Sequence, residues 1–368
     1  MGALMAVAIL PALAGHSQAN SQAKSGSIKQ IAELSGPRGV ASVGWGKTLV
    51  TEDNGNFDLV IERKHGDAKV VNLGNIGPGF GNAIDNRGKT VYILTGGGGT
   101  EADLPPGAAT LFKWKPGWDE AKPFADIAAY QATDPDPYDQ ENIPEDSNPF
   151  GLAVDPRGGV LVSDAAGNDL LKVHFDGSIT TIARLKPRLV KVPDGLPATD
   201  PDGNPLPPAG TPILSEDVAT SVTIGADGYY YVGELRGFPG TPGTSQIWRI
   251  NPHAKNAVCD PKHPYRGMCQ RYVDHLTSIV DLGADRWGNI YAVTLSKMSW
   301  LAVELGVPGS EVGAVYKIHK SHGAHGHVFK HELARNKLIL PGGVDVSWSG
   351  KVYEVGPVFG QGALSVIR

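Results

Sequence analysis

Residues 148–185, NPFGLAVDPRGGVLVSDAAGNDLLKVHFDGSITTIARL, carry four short strand patterns in under forty residues. GLAVD, GVLVSD, DLLKVHF and SITTIARL are separated by Pro-Arg-Gly-Gly, Ala-Ala-Gly-Asn and Asp-Gly. Gly, Pro, Asn and Asp between runs of alternating apolar residues are hairpin signals. Four antiparallel strands joined this tightly make one propeller blade. A lone blade has two apolar faces and nothing to cover them, so such a unit must recur.

It does recur. The glycine of the turn between first and second strands stands at Gly46, Gly88, Gly158, Gly228, Gly288 and Gly350. Third strands recur as DLVIER, TLFKWK, DLLKVHF, QIWRIN, AVYKIH and LSVIR. Both markers predict six blades. Fourth strands follow the first five as AKVVNL, KPFADI, SITTIARL, QRYVDHL and HVFKHEL, but the sequence ends on the sixth third strand. The missing strand matches residues 27–34, SIKQIAEL, which are expected to pair beside the last blade and close the ring. Closure removes the exposed edges that an open array would leave. The predicted fold is all-β, a six-bladed propeller of four-stranded antiparallel blades.

Because the chain reverses at every strand, first-to-second and third-to-fourth turns share one face. The other face carries nearly all the excess length, at 95–109, 130–150, 186–218, 233–244 and 294–313. Long loops on a rigid scaffold are where function usually sits. The exception is the loop 251–268, on the opposite face, which holds Cys259 and runs up to Cys269.

Gly 48, Pro 28 and only 19% charged residues fit many turns joining many short strands. A net charge of −5 supplies no long-range pull toward nucleic acid. Residues 1–19, MGALMAVAILPALAGHSQA, read as an export signal cleaved after Ala14 or Ala19, although no Lys or Arg precedes the apolar core. The alternative is a disordered tail. Residues 20–26 read as a linker and 27–368 as one propeller domain. The stretch is too short to span a bilayer, and no other segment reads as transmembrane. In an exported chain the two closely spaced cysteines suggest a disulfide; in a reducing compartment they would be free thiols.

At NPFGLAVDPRGG–VLVSDAAGNDLLKV, GYYYVGELRGFPGTPG and PGGVDVSWSGKVYEV the chain resembles the ScyD/ScyE family of exported bacterial propeller proteins. The likeness covers about residues 34–368, and the insert 297–313 and the His-rich stretch depart from it. It implies fold and export. It supplies no catalytic residues.

Aligning the ends of the second strands puts Glu52, Asp164 and Glu234 at one place on the loop-rich face, with Asn82, Asn148, Asp217 and His275 read as strand starts there. Carboxylates and amides converging on an axis are the ligand chemistry of Ca²⁺, which takes six to eight oxygens, and such a metal can polarise an ester carbonyl or activate water. The alternative is that these acids cap turns by accepting backbone N–H bonds. Glu52-Asp53-Asn54 and Asp164 beside Gly167-Asn168 suit that role.

His319, His322, His325, His327 and His331 lie in a hairpin where alternate side chains diverge, so five ligands cannot converge. Asp200, Asp202 and Asn204 begin like an EF-hand loop, but Pro205 and Thr211 break the pattern. Residues 133–150 have six acids and no Lys or Arg, the composition of a solvated loop. The glycines at 96–99 lack the sequel of a phosphate loop and are expected to let that segment pass close to the axis. Trp118, Trp248, Trp287 and Trp348 read no differently from blade-packing aromatics.

These features favour an exported propeller that binds a small molecule, glycan or peptide at the axis of the long-loop face, with Ca²⁺ the one cofactor its residues suggest. A calcium-dependent, lactonase-like hydrolase and a protein-interaction scaffold are the alternatives.

Overall fold

The structure, a computed structural model, describes residues 26–77, 81–100, 102–199, 203–321 and 327–368. The export signal, Asp200, Asp202, His322 and His325 lie outside the described residues.

Six small antiparallel sheets form a ring: a six-bladed β-propeller. Blade 1 runs Val40–Gly44, Lys47–Thr51, Asn56–Ile61 and Lys69–Asn75, and blade 2 runs Gly81–Arg87, Thr90–Thr95, Thr110–Trp114 and Lys122–Asp126. Blade 3 is Pro149–Val154, Val160–Asp164, Asp169–Val173 and Ile179–Leu185, and blade 4 is Ala219–Ile224, Tyr230–Glu234, Ser245–Ile250 and Cys269–Leu276. Blade 5 is Ile279–Ala284, Ile290–Thr294, Ala314–Lys320 and Val328–Leu333. Blade 6 contributes Gly343–Val346, Val352–Gly356 and Gln361–Ile367, and its fourth strand is Ile28–Ser35. That closing strand pairs antiparallel with the last one, Ile28 opposite Ile367 and Ser35 opposite Gln361.

The core is divided rather than central. One apolar cluster fills each blade-to-blade interface. Leu49, Phe57, Ile84 and Ile93 join blades 1 and 2, and Leu34, Val50, Tyr353 and Leu364 join blades 6 and 1 across the closure. Each blade therefore covers the apolar faces of its neighbours, which is why one blade alone is not a stable unit. Near the axis, carboxylates tie first strands together. Asp85 accepts from the Val154 N–H at 2.7 Å, Asp281 from Val344 at 2.7 Å, and Asp345 from Ser42 at 2.6 Å.

The cysteine-bearing loop does more than close on itself. Cys259 and Cys269 are bonded, and Ala257–Cys259 adds a fifth strand, parallel to Ile179–Leu185 of blade 3. The insert thus leaves blade 4, clamps the outer edge of blade 3 and returns. Replacing both cysteines with alanine is expected to cost about 2–3 kcal/mol from restored loop entropy. The check is the guanidinium unfolding midpoint under oxidising conditions, compared with the parent. Among the described residues no helix is long and apolar enough to cross a membrane.

Candidate functional site

The second strands end on the loop-rich face, but the three aligned acids are engaged there by their own surroundings. Glu52 accepts from the Ser35 N–H at 2.7 Å and from the Asn54 and Asn56 amides at 3.4 Å. Asp164 accepts from the Ser147 hydroxyl and the Asn148 N–H, both at 2.7 Å, and from the Ala166 and Gly167 N–H groups at 3.1 Å. It caps the turn that follows it. Glu234 accepts from Arg236, from the Trp248 indole and, at 3.3 Å, from Gln246. Asp217 is buried against the same guanidinium at 2.6 Å. Burial raises the carboxyls of Asp164 and Glu234, and pushes that of Asp217 well above the usual range against the pull of Arg236. Glu52, Asp164 and Glu234 are not gathered around one point: among the described residues no group of three or more His, Cys, Asp or Glu side chains is placed to hold a metal ion. These acids, read from sequence as turn caps or possible Ca²⁺ ligands, satisfy backbone and side-chain donors, because a buried carboxylate needs several donors to remain buried.

His275 is also placed differently from the sequence expectation. It lies in the fourth strand of blade 4, exposed, with its backbone N–H bonded to Asp274. Outermost strands face the rim, so His275 is not axial.

What does assemble at the axial end of the loop-rich face is a set on blades 1, 2 and 3. Arg38, at the start of blade 1, donates to the Asn82 side-chain oxygen at 3.2 Å, and Asn82 donates to the Pro149 carbonyl at 3.0 Å. Asn148 accepts from the Gly97 N–H at 3.1 Å. A Cβ at Gly96 would stand 2.1 Å from the Asn82 amide and 3.2 Å from the Asn148 oxygen, so only glycine permits this approach. The glycines at 96–99 therefore bring their loop onto the first strand of blade 3. Arg38 is half-buried and makes no ion pair among the described residues. Burial lowers its pKa, partly offset by Asp53. A guanidinium stays charged under such a shift, so this is a partly desolvated cation with donors to spare. Arg38 was missed from sequence, although a signal was present. Pro37-Arg38-Gly39, Pro149-Phe150-Gly151 and Pro341-Gly342-Gly343 open blades 1, 3 and 6 alike. Phe150, at the equivalent position of blade 3, is partly buried and belongs to the apolar cluster that includes Val218, Leu235 and Leu295.

The long loops are not separate flaps. The Gly98 N–H bonds Ser147 O at 3.0 Å, Gln140 N–H bonds Glu216 at 2.8 Å, and the Thr241 hydroxyl bonds Lys191 O at 2.8 Å. The Trp300 indole, on the short helix Trp300–Glu304, donates to Arg236 O at 2.8 Å, and the Leu340 N–H bonds Glu311 O at 2.8 Å. These bonds run from blade 2 to blade 6 and form a continuous belt. The acidic loop belongs to it and is less solvated than its composition implies. Asp136 and Asp146 are buried, Asp136 accepting from Tyr138 N–H and Asn168, and Asp146 from Gly99 N–H. In the His-rich hairpin, His319 stacks on Phe329 with centroids 4.8 Å apart.

One buried acid was not anticipated. Glu354, in the second strand of blade 6, is 4% exposed, and its carboxyl group makes no hydrogen bond among the described residues. Its Oε1 would lie 2.8 Å from a Cβ at Gly356, where the strand meets the loop-rich face. Burial alone raises its pKa to about 8, so its neutral form persists well above the usual glutamate range.

No protein-family model matches the chain, and no curated protein matches it. Among solved structures, it is similar to a glucose dehydrogenase at 13% identity and a TM-score of 0.56, over 93% of this chain and 99% of that one. It is similar to the PQQ domain of a pyranose dehydrogenase from Coprinopsis cinerea at 11% identity and a TM-score of 0.53, over 94% and 96%. The soluble aldose sugar dehydrogenase of Escherichia coli gives 11% and 0.53, over 93% and 99%. At such identities these likenesses show the fold alone, a β-propeller spanning nearly the whole chain.

Proposed function

We propose that this chain is an exported propeller of the ScyD/ScyE type that it resembles, and that it binds a small molecule, glycan or peptide through an anionic group at the axial end of its long-loop face. The observation that carries this reading is Arg38. It is a half-buried cation held toward Asn82, with no ion-pair partner among the described residues, at the centre of a face whose loops are tied together. A bound carboxylate would supply the partner that the fold withholds. The loop belt supports a preorganised rim, which lowers the entropy cost of binding. Binding rather than catalysis is supported by Glu52, Asp164 and Glu234, whose oxygens already serve the fold. The disulfide supports export, since such bonds persist in oxidising compartments.

The test is ligand-observed NMR with matched probes, benzoate and hippurate against their neutral amides. The carboxylates are expected to bind and the amides to bind more weakly. Arg38→Met is expected to weaken carboxylate binding about 10–100-fold, the loss of one charge-assisted interaction, and to leave the amides unchanged. Equal binding of acids and amides, or an unaltered Arg38→Met variant, would refute the reading.

A further inference from the structure

The face opposite the long loops has its own unexplained feature. Three indoles stand on the first-to-second-strand turns of three consecutive blades: Trp287 on blade 5, Trp348 on blade 6 and Trp45 on blade 1. They are 56%, 74% and 99% exposed. A blade-packing tryptophan is buried, as Trp248 is here. Large exposed apolar side chains gathered on one sector add nothing to folding and mark a contact surface.

The turns hold these rings on rigid backbone. Gly350 N–H closes onto Ser347 O at 2.8 Å, and Gly44 pairs with Lys47. The Arg286 guanidinium carbon lies 4.7 Å from the ring centroids of both Trp287 and Trp348, so one cation bridges two blades and fixes both rings. A Cβ at Gly350 would come within 2.9 Å of the Trp287 ring, which shows how closely the blade 5 indole lies over the blade 6 turn.

Beside this platform is an open cleft of about 410 Å³ between blades 6 and 1. Ser349 and Gly350 belong both to it and to the turn that bears Trp348. Its charged lining is Lys29, Lys351 and Arg368 against the single acid Glu62. Glu62 is already matched by Lys351 at 2.9 and 3.0 Å and by the Tyr353 hydroxyl at 2.6 Å. The Glu62 N–H bonds Gly46 O at 2.8 Å, which sets the Trp45 turn against the same cleft. The cleft is therefore net positive in a chain whose overall charge is −5.

We propose that this face is a second binding surface, and that its occupant is an acidic polysaccharide. The C–H faces of sugar rings stack on indoles, their hydroxyls bond polar groups such as Ser349, and their carboxylates or sulfates pair with Lys29, Arg368 and Arg286. A membrane fits less well. The residues beside the indoles in sequence are Gly44, Gly46, Lys47, Ser347, Ser349 and Asn289, polar or glycine rather than the apolar flank that enters lipid. Arg286 moreover holds two of the rings against the protein.

The experiment is affinity electrophoresis of the full chain in native gels containing alginate, hyaluronate, heparin or neutral dextran. At least one acidic polymer is expected to retard the protein, in a manner relieved by salt, while dextran leaves it unretarded. The Trp45→Ala/Trp348→Ala double variant is expected to bind about tenfold or more weakly. Arg286→Ala is expected to weaken binding as well. All three positions are exposed on turns, and an unchanged melting temperature shows that the variants are folded. Retardation by none of the three acidic polymers overturns the proposal. So does retardation that survives the double substitution. Co-sedimentation with phosphatidylglycerol vesicles without polysaccharide retardation reassigns the surface to lipid and equally overturns it.

Discussion

Arg236→Met is expected to destabilise the protein by about 3–5 kcal/mol, the usual cost of removing one partner from a buried ion pair. Arg236 is 1% exposed and lies between two fully buried acids, bonded to Asp217 at 2.6 Å and to Glu234. It also donates to the Glu216 and Ser215 carbonyls at 3.2 and 3.4 Å, so it organises the backbone at the entry to blade 4. Methionine keeps much of the volume but strands both carboxyls. Burial already raises both, and Arg236 is what opposes that rise. The measurement is the guanidinium unfolding midpoint at pH 7. A second variant separates lost charge pairing from lost packing. Arg236→Met combined with Asp217→Asn and Glu234→Gln removes all three charges and should recover most of the loss. A single variant within about 1 kcal/mol of the parent would show that the cluster is not a closed ion network.

The second expected result concerns pH. Glu354 has no donor among the described residues to stabilise its ionised form, and its pKa is raised to about 8 by burial. In the unfolded chain it titrates near the ordinary glutamate value of about 4.3. Between those values the folded state holds a proton that the unfolded state has released. Stability from this group is therefore fully present below the unfolded pKa, falls as pH rises through the window, and levels off above about pH 8. At about 1.4 kcal/mol per pH unit, the loss across the window is of the order of 3–5 kcal/mol. Glu354→Gln preserves shape and cannot ionise. It should equal the parent below about pH 4, exceed it increasingly up to about pH 8, and keep a constant advantage above that. Asp281 and Asp85, raised mainly by burial to about 8 and about 7, act in the same direction and remain in the variant. The decisive readout is accordingly the difference in unfolding free energy between variant and parent at each pH. A difference that does not grow with pH would mean that Glu354 has a donor or solvent access in solution.

Arg236 and Glu354 show where reading the chain alone stops. Glu234 is visible at the end of its strand, and its alignment with Glu52 and Asp164 is correct as strand register. Nothing local reveals that a guanidinium two residues later folds back on it, or that Asp217, from the connection before blade 4, shares that guanidinium. Glu354 sits in VYEVG, which reads as an ordinary alternating strand with a polar outward residue. Only packing against the neighbouring blade makes that side inward. Trp287 and Trp348 err in the opposite sense, because an aromatic in a tight turn looks the same whether the next blade covers it or leaves it to solvent.

The sequence by itself determined the six blades, the order of strands within each, the closing strand near 27–34 and the placement of extra length on one face, and it suggested the cysteine pair. Those features follow from period-two patterning, from turn residues and from counting, and each is decided within a few tens of residues. Only the tertiary structure decided the parallel strand that the cysteine loop lends to blade 3, the binding of the strand-end acids by local donors, the isolation of Arg38 and the exposure of the indoles. Each of these depends on which blade stands beside which and at what distance. Burial and hydrogen-bond satisfaction are properties of that juxtaposition, not of any segment taken alone.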